Sequence, residues 1–155
     1  MEITILIFLF GGLFLGWSLG ANDAANVFGT AVGTRMVSFT SAAIVCSIFV
    51  ILGAIISGAG TTETLGKLGA INALPGAFAA CVAAGVSVYL MTKVGLPVST
   101  TQAIVGAIVG WNLYTGSSTN IQVLMTILAT WIILPNHCGY NRNGFIYVYK
   151  KSYSK

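Results

Sequence analysis

The chain has 155 residues, of which 56% are hydrophobic and only 6% charged: seven Lys or Arg, two Glu and one Asp. Soluble domains carry about 25% charged residues, so an ordinary soluble globule is excluded, and so is a disordered chain, which needs low hydrophobicity and high charge. The net charge of +4 does not make a nucleic-acid binder, because four of the seven bases (Arg142, Lys150, Lys151 and Lys155) lie in the last fourteen residues.

A mean hydropathy of +0.90 leaves a polytopic membrane protein. One span takes about 20 apolar residues, which gives room for roughly five to six crossings. Cys46, Cys81 and Cys138 are odd in number and widely spaced, which fits neither a disulfide framework nor a zinc pattern. The first two read as small buried apolar residues.

The first apolar run is Ile3 to Leu19, with no basic leader region, so it is not read as a signal peptide. It leads into Gly20-Ala21-Asn22-Asp23-Ala24-Ala25-Asn26, a polar insert at membrane depth, and apolar or small residues then continue to Arg35. Met36 to Ser57 is the second run. Gly58 to Gly69, with Glu63 and Lys67, reads as a loop. The third run, Leu74 to Met91, closes at Lys93. Gly95-Leu96-Pro97-Val98-Ser99-Thr100-Thr101 follows, then a fourth run from Ala103 to Tyr114, a polar loop from Gly116 to Asn120, and a fifth run from Ile121 to Leu134. Backbone in lipid must be hydrogen-bonded internally. The expected fold is therefore all-α, a polytopic transmembrane helix bundle, with a broken helix or re-entrant hairpin near 97–101. Glycines spaced by four (Gly12, Gly16 and Gly20; Gly29 and Gly33; Gly106 and Gly110) read as close helix-packing positions.

Lys and Arg near span ends set orientation. With every run crossing once, Arg35, Lys93 and the terminal lysines share one side, and Lys67 takes the other. That predicts a multi-pass protein of the cell membrane with its N-terminus outside; a re-entrant 97–114 would move the terminal lysines across.

Asp23 is the single Asp, and the nearest basic residue in sequence, Arg35, is about 18 Å away along a continuous helix. A carboxylate at membrane depth costs at least about 2.5 kcal/mol, so Asp23 must be protonated, face water or meet a cation. Asn22 and Asn26 share a helix face, Asp23 adjoins it, and Thr30 and Thr34 extend it. This is an oxygen-rich stripe of the kind hard cations select. A polar cap or an interhelical hydrogen bond is the plainer alternative. The second constellation is Pro97-Val98-Ser99-Thr100-Thr101-Gln102. Ser99 with Gln102 fits a capping box, hence an ordinary helix start. The same start offers free N–H donors, a positive dipole end and three hydroxyls, which suit an anion. Phe28 to Gly33 faintly echoes Val105 to Gly110 in a shared Gly-x-x-Val-Gly.

Two stretches carry a resemblance. Gly20-Ala21-Asn22-Asp23-Ala24-Ala25-Asn26-Val27-Phe28-Gly29-Thr30-Ala31-Val32-Gly33 resembles the first signature of the inorganic phosphate transporter family, and Pro97-Val98-Ser99-Thr100-Thr101-Gln102-Ala103-Ile104-Val105-Gly106 resembles its second. Gln102 stands where the family often has His. The resemblance covers residues 1–134. It implies phosphate symport with Na⁺ or H⁺ and a fold of two inverted repeats with the site between them. This chain would hold the first repeat, completed by a second repeat or another subunit. By resemblance, Asn22, Asp23 and Asn26 would bind the cation (Na⁺ where coupling is to sodium), and Asp23, Ser99, Thr100 and Thr101 the phosphate. An intervening cation would offset repulsion between Asp23 and the anion.

Residues 135–155 read as a divergent tail, since Pro135 to Gly144 interrupts the fifth run with polar residues. Shifting the frame by one base restores an apolar stretch, so the tail reads as out of frame, with no role for His137 or Cys138. A truncated, non-transporting membrane fragment is the alternative function. Two copies inserted in opposite orientations would conflict with the Arg35 and Lys93 bias. An intramembrane aspartyl protease needs two carboxylates, so an enzyme is not expected.

Overall fold

The computed structural model describes the backbone of residues 2–69 and 74–153, and the side chains of 4–69 and 74–138. Among the described residues the chain is all-helical: α1 Glu2–Gly33, α2 Phe39–Leu68, α3 Leu74–Val94, α4 Thr100–Thr115 and α5 Ile121–Tyr153. Four of these are long and apolar enough to cross a membrane, over Thr4–Gly33, Phe39–Leu68, Leu74–Val94 and Ile121–Cys138. At 16 residues, α4 is about 24 Å long, short of a hydrocarbon core of about 30 Å. The expected helical transmembrane bundle is what the chain forms.

Three helices end alike. At the end of α1 the Met36 N–H bonds the Ala31 carbonyl and the Arg35 N–H bonds that of Val32, with Arg35 at φ 60°. After α3 the same pair runs from Leu96 to Met91 and from Gly95 to Thr92, with Gly95 at φ 75°. After α4 it runs from Ser117 to Asn112 and from Gly116 to Leu113. This double closure needs a left-handed residue, which glycine adopts without steric cost; Arg35 adopts it at some strain. Pro97 then bars any continuation of α3, and Ser99 caps α4 by accepting from the Gln102 N–H at 3.3 Å.

Residues 1–119 form one compact unit. In it α1 packs chiefly on α3, and α3 on α4. Gly11 lies against Phe78, Gly85 against Phe14 and Leu15, and Asn22 beside Thr92, so α1 and α3 run parallel. Gly76 lies against Trp111, while Asn22 also meets Val98, so α4 returns antiparallel. The packed seam of α1 is buried Gly11, Ser18 and Asn22 with half-buried Leu15, at alternating spacings of four and three. On α3 the buried residues are Gly76, Ala80, Ala84, Gly85 and Val88, with Gly85 facing α1 and Gly76 facing α4. Close approach therefore does use small residues, but the expected positions are corrected. At Gly12, Gly16, Gly20, Gly29, Gly33, Gly106 and Gly110 an added methyl would meet nothing within 4 Å. Gly12 and Gly16 sit one residue off the seam and Gly20 two, on a stripe that faces open space.

Other expectations also change. Gly58 to Leu68 is not a loop but the end of α2. Thr62 and Thr64 bond back to the Gly58 and Gly60 carbonyls, and Glu63 pairs with Lys67 one turn on. These local bonds offset the low helix propensity of the glycines. Cys46 and Cys81 are partly exposed rather than buried.

The second unit, from Asn120 onward, holds α5, Ile121–Tyr153. Asn120 caps it, its side-chain carbonyl accepting from the Gln122 and Val123 N–H groups. The helix does not stop at Leu134: Pro135 lies inside it. The Asn136 side chain donates to the Ile132 carbonyl at 2.7 Å, whereas the carbonyl that loses its donor to Pro135 is that of Trp131.

Candidate functional site

The tip of the α3–α4 hairpin meets α1 at Asn22 and Asp23. From there α1 runs on ten residues to Gly33, about 15 Å. The tip therefore ends against the interior of α1, not at its end.

Asn22 is 3% exposed. Its amide nitrogen donates to Asp23 Oδ1 at 2.9 Å and to the Val98 carbonyl at 2.9 Å. Both partners are pure acceptors, which fixes the amide orientation and leaves Oδ1 as the free acceptor end. Thr92 Oγ1 approaches that oxygen at 3.4 Å, but its hydroxyl is already given to the Val88 carbonyl at 2.8 Å. Thr100, also buried, donates to Asp23 Oδ2 at 3.2 Å. The carboxylate is thus held by two neutral donors, one on each oxygen. No Lys or Arg nitrogen lies within 4 Å of it among the described residues.

Of the expected anion-site residues, Ser99 is engaged in capping, Thr100 in the bond to Asp23, and Thr101 is exposed. The first two N–H groups of α4 have no partner inside the helix, as at any helix start. Asn26 is exposed and is not brought to the Asn22–Asp23 cluster. It lies a full turn beyond the hairpin tip, where neither α3 nor α4 remains to cover it. Thr34 bonds back to the Thr30 carbonyl. The structure adds residues not singled out from sequence: Thr92 and the Val98 carbonyl at the tip, and Ser18 one turn before Asn22. Lys93 follows Thr92, exposed, with its ammonium 5.6 Å from the centre of the Tyr89 ring. Nothing local in the sequence marks Thr92 or Ser18, because single hydroxyls in apolar helices commonly bond their own backbone.

A helix start facing a polar cluster inside a set of membrane-length helices brings free N–H donors and side-chain oxygens to one place, a combination that secondary transporters use. Comparison with known proteins agrees. A profile described as the phosphate transporter family matches residues 19–153, and the chain belongs to that family. It is 36% identical over 144 residues to a Pyrococcus furiosus protein named as a phosphate permease, covering 86% of this chain and 34% of that one. A Thermococcus kodakarensis protein similarly named is 34% identical over 145 residues, covering 87% and 36%. A Plasmodium falciparum protein named as a sodium-dependent phosphate transporter is 34% identical over 138 residues, covering 81% and 20%. The chain spans about a third of the length of the first two relatives. No solved structure matches it. The family is one of transporters, not enzymes.

Proposed function

We propose that the chain contributes to phosphate transport by symport with Na⁺, as one repeat whose site is completed by a second repeat or another subunit. The observation that supports this most is the Thr100–Asp23 bond. It sets the N-terminus of α4, which suits an anion, against a carboxylate and amide oxygens, which suit a hard cation. A phosphate dianion beside Asp23 is repelled unless a cation lies between them. Binding of either ion then favours the other, which is the reciprocity coupling needs.

Na⁺ is favoured over H⁺ because oxygens from several residues gather at the tip, more than a proton requires, and because a relative is named as sodium-dependent. In this reading Asn22 and Asp23 hold Na⁺, with Asn26 at the exposed margin. Thr101 and the first N–H groups of α4 hold phosphate, and Ser99 and Thr100 shape that helix start. The N-terminus lies outside: α1 and α3 run parallel, so Arg35 and Lys93 trail in one direction, and Lys67 ends α2 at the opposite end, where Gly69 lies against Asn112.

The test is phosphate uptake into vesicles holding the full chain, driven by an inward Na⁺ gradient. Gradient-dependent uptake that is lost in Asp23→Asn supports the reading. Uptake equal to protein-free vesicles would favour the non-transporting alternative for this chain.

A further inference from the structure

We propose that Ser18 is a ligand of the coupling cation, so that the cation site extends one helical turn along α1 from Asn22 into the α1–α3 interface. This rests on the Na⁺ reading above and adds a residue to it.

Several helical hydroxyls among the described residues bond their own backbone. Ser47, Thr62, Thr64, Ser87, Thr92 and Thr126 each donate to the carbonyl four residues back. That is the default in a dry helix, where no water competes. Ser18 does not follow it. Its residue is 1% exposed, and its Oγ has no hydrogen-bond partner. An unsatisfied buried hydroxyl is costly, and it needs an explanation wherever it persists.

Its position supplies one. Ser18 and Asn22 are four apart, so they stand one above the other on the same face, about 6 Å apart at Cβ. Both lie on the buried seam of α1. By register Ser18 falls opposite the stretch of α3 near Val88, since the Trp17 ring packs at a tilt against Tyr89 and Leu15 meets Gly85. The carbonyl end of Asn22 retains accepting capacity, because its one close donor is already committed to Val88. Ser18 Oγ, Asn22 Oδ1 and Asp23 therefore offer hydroxyl, amide and carboxylate oxygens over a single turn. This is the donor set of a hard monovalent cation. A proton would need the carboxylate alone, and Ser18 would be irrelevant to it. Ser18 is thus a residue that distinguishes Na⁺ from H⁺.

The experiment measures equilibrium binding of radiolabelled Na⁺ to the purified full chain in detergent, with choline chloride holding ionic strength constant. Wild type, Ser18→Ala, Ser18→Thr and Asp23→Asn are compared. Losing one ligand should raise the Na⁺ half-saturation of Ser18→Ala about tenfold, while Ser18→Thr stays near wild type and Asp23→Asn loses binding. Without Na⁺, Ser18→Ala should melt at or above the wild-type temperature, because an unpaired buried hydroxyl has been removed. Added Na⁺ should raise the melting temperature of wild type more than that of Ser18→Ala. Where Ala disturbs packing on α3, Ser18→Gly serves in its place. Wild-type affinity in a folded Ser18→Ala would overturn the assignment of Ser18 and leave the Asn22–Asp23 cation site standing. No Na⁺ binding by wild type would overturn both.

Discussion

The Thr100 hydroxyl donates to the Asp23 carboxylate across 3.2 Å, linking residues 77 positions apart in sequence. With the Asn22 bond to the Val98 carbonyl, it fastens the tip of the α3–α4 hairpin to the interior of α1. Thr100→Val keeps the shape and removes the donor. It leaves Oδ2 of a carboxylate without its partner, and the expected cost is about 1–2 kcal/mol. Thr100→Ser should restore most of it. Thermal unfolding in detergent, followed by far-UV circular dichroism, measures both. An unchanged melting temperature in Thr100→Val would mean that the bond does not hold the tip.

That contact shows where sequence reasoning reached and where it stopped. Asn22, Asp23 and Thr100 stood out because polar groups are costly in apolar runs, and the helix start at Ser99 was legible from its Pro and Gln neighbours. The face of α1 was harder. Gly12, Gly16 and Gly20 share a perfect spacing of four, yet the packed seam is Gly11, Leu15, Ser18 and Asn22. Spacing gives the period of a helix but not which of two adjacent stripes meets a neighbour. Asn26 shares the face of Asn22, but the depth of the hairpin tip decides burial, and depth depends on how α3 and α4 dock. The Gly58–Gly69 segment misled because glycine and threonine signal a loop, while the back-bonds that hold them helical are local and invisible in composition.

Helix capping and anion binding at α4 can be separated. Ser99 Oγ accepts from the Gln102 N–H, so Ser99→Ala should lower stability by about 1 kcal/mol. Thr101 is exposed, and Thr101→Val should leave the melting temperature nearly unchanged. On the transport reading it should weaken phosphate binding several-fold, as measured by equilibrium dialysis with labelled phosphate in the presence of Na⁺. Equal affinity in Thr101→Val and wild type would remove that hydroxyl from the anion site.

The glycines of α1 and α3 give a paired test of the seam. A methyl on Gly85 would sit 2.8 Å from the Phe14 ring and 3.4 Å from the Leu15 Cα. The ring can turn, but the backbone cannot. Gly85→Val is therefore expected to destabilise by about 1–3 kcal/mol through overpacking. Gly16 has nothing within 4 Å, so Gly16→Ala should be neutral or stabilise by up to about 1 kcal/mol through helix propensity. Melting temperatures of the two variants decide the matter. A large loss at Gly16 with none at Gly85 would put the α1 interface on the other stripe.

The fold gives Lys93 a place that its sequence neighbours do not announce. Arg35 lies beyond the end of α1, and Lys67 is paired with Glu63. Lys93 alone among the described basic residues sits next to a residue that touches the Asn22–Asp23 cluster, through Thr92. Its ammonium rests over the Tyr89 ring, a contact worth about 0.5–1 kcal/mol at an exposed site, and no carboxylate lies within 4 Å of it among the described residues. A positive charge so placed raises the local concentration of anions without binding one in a fixed geometry. On the transport reading, Lys93→Gln should therefore raise the KM for phosphate several-fold and leave kcat nearly unchanged. The difference from wild type should shrink as ionic strength rises, because an exposed charge is screened over about 10 Å at 0.1 M salt. Lys93→Arg should behave as wild type. Uptake kinetics at two ionic strengths check this, and a fall in kcat with KM unchanged would show that Lys93 acts on the moving parts of the transporter rather than on the approach of the anion.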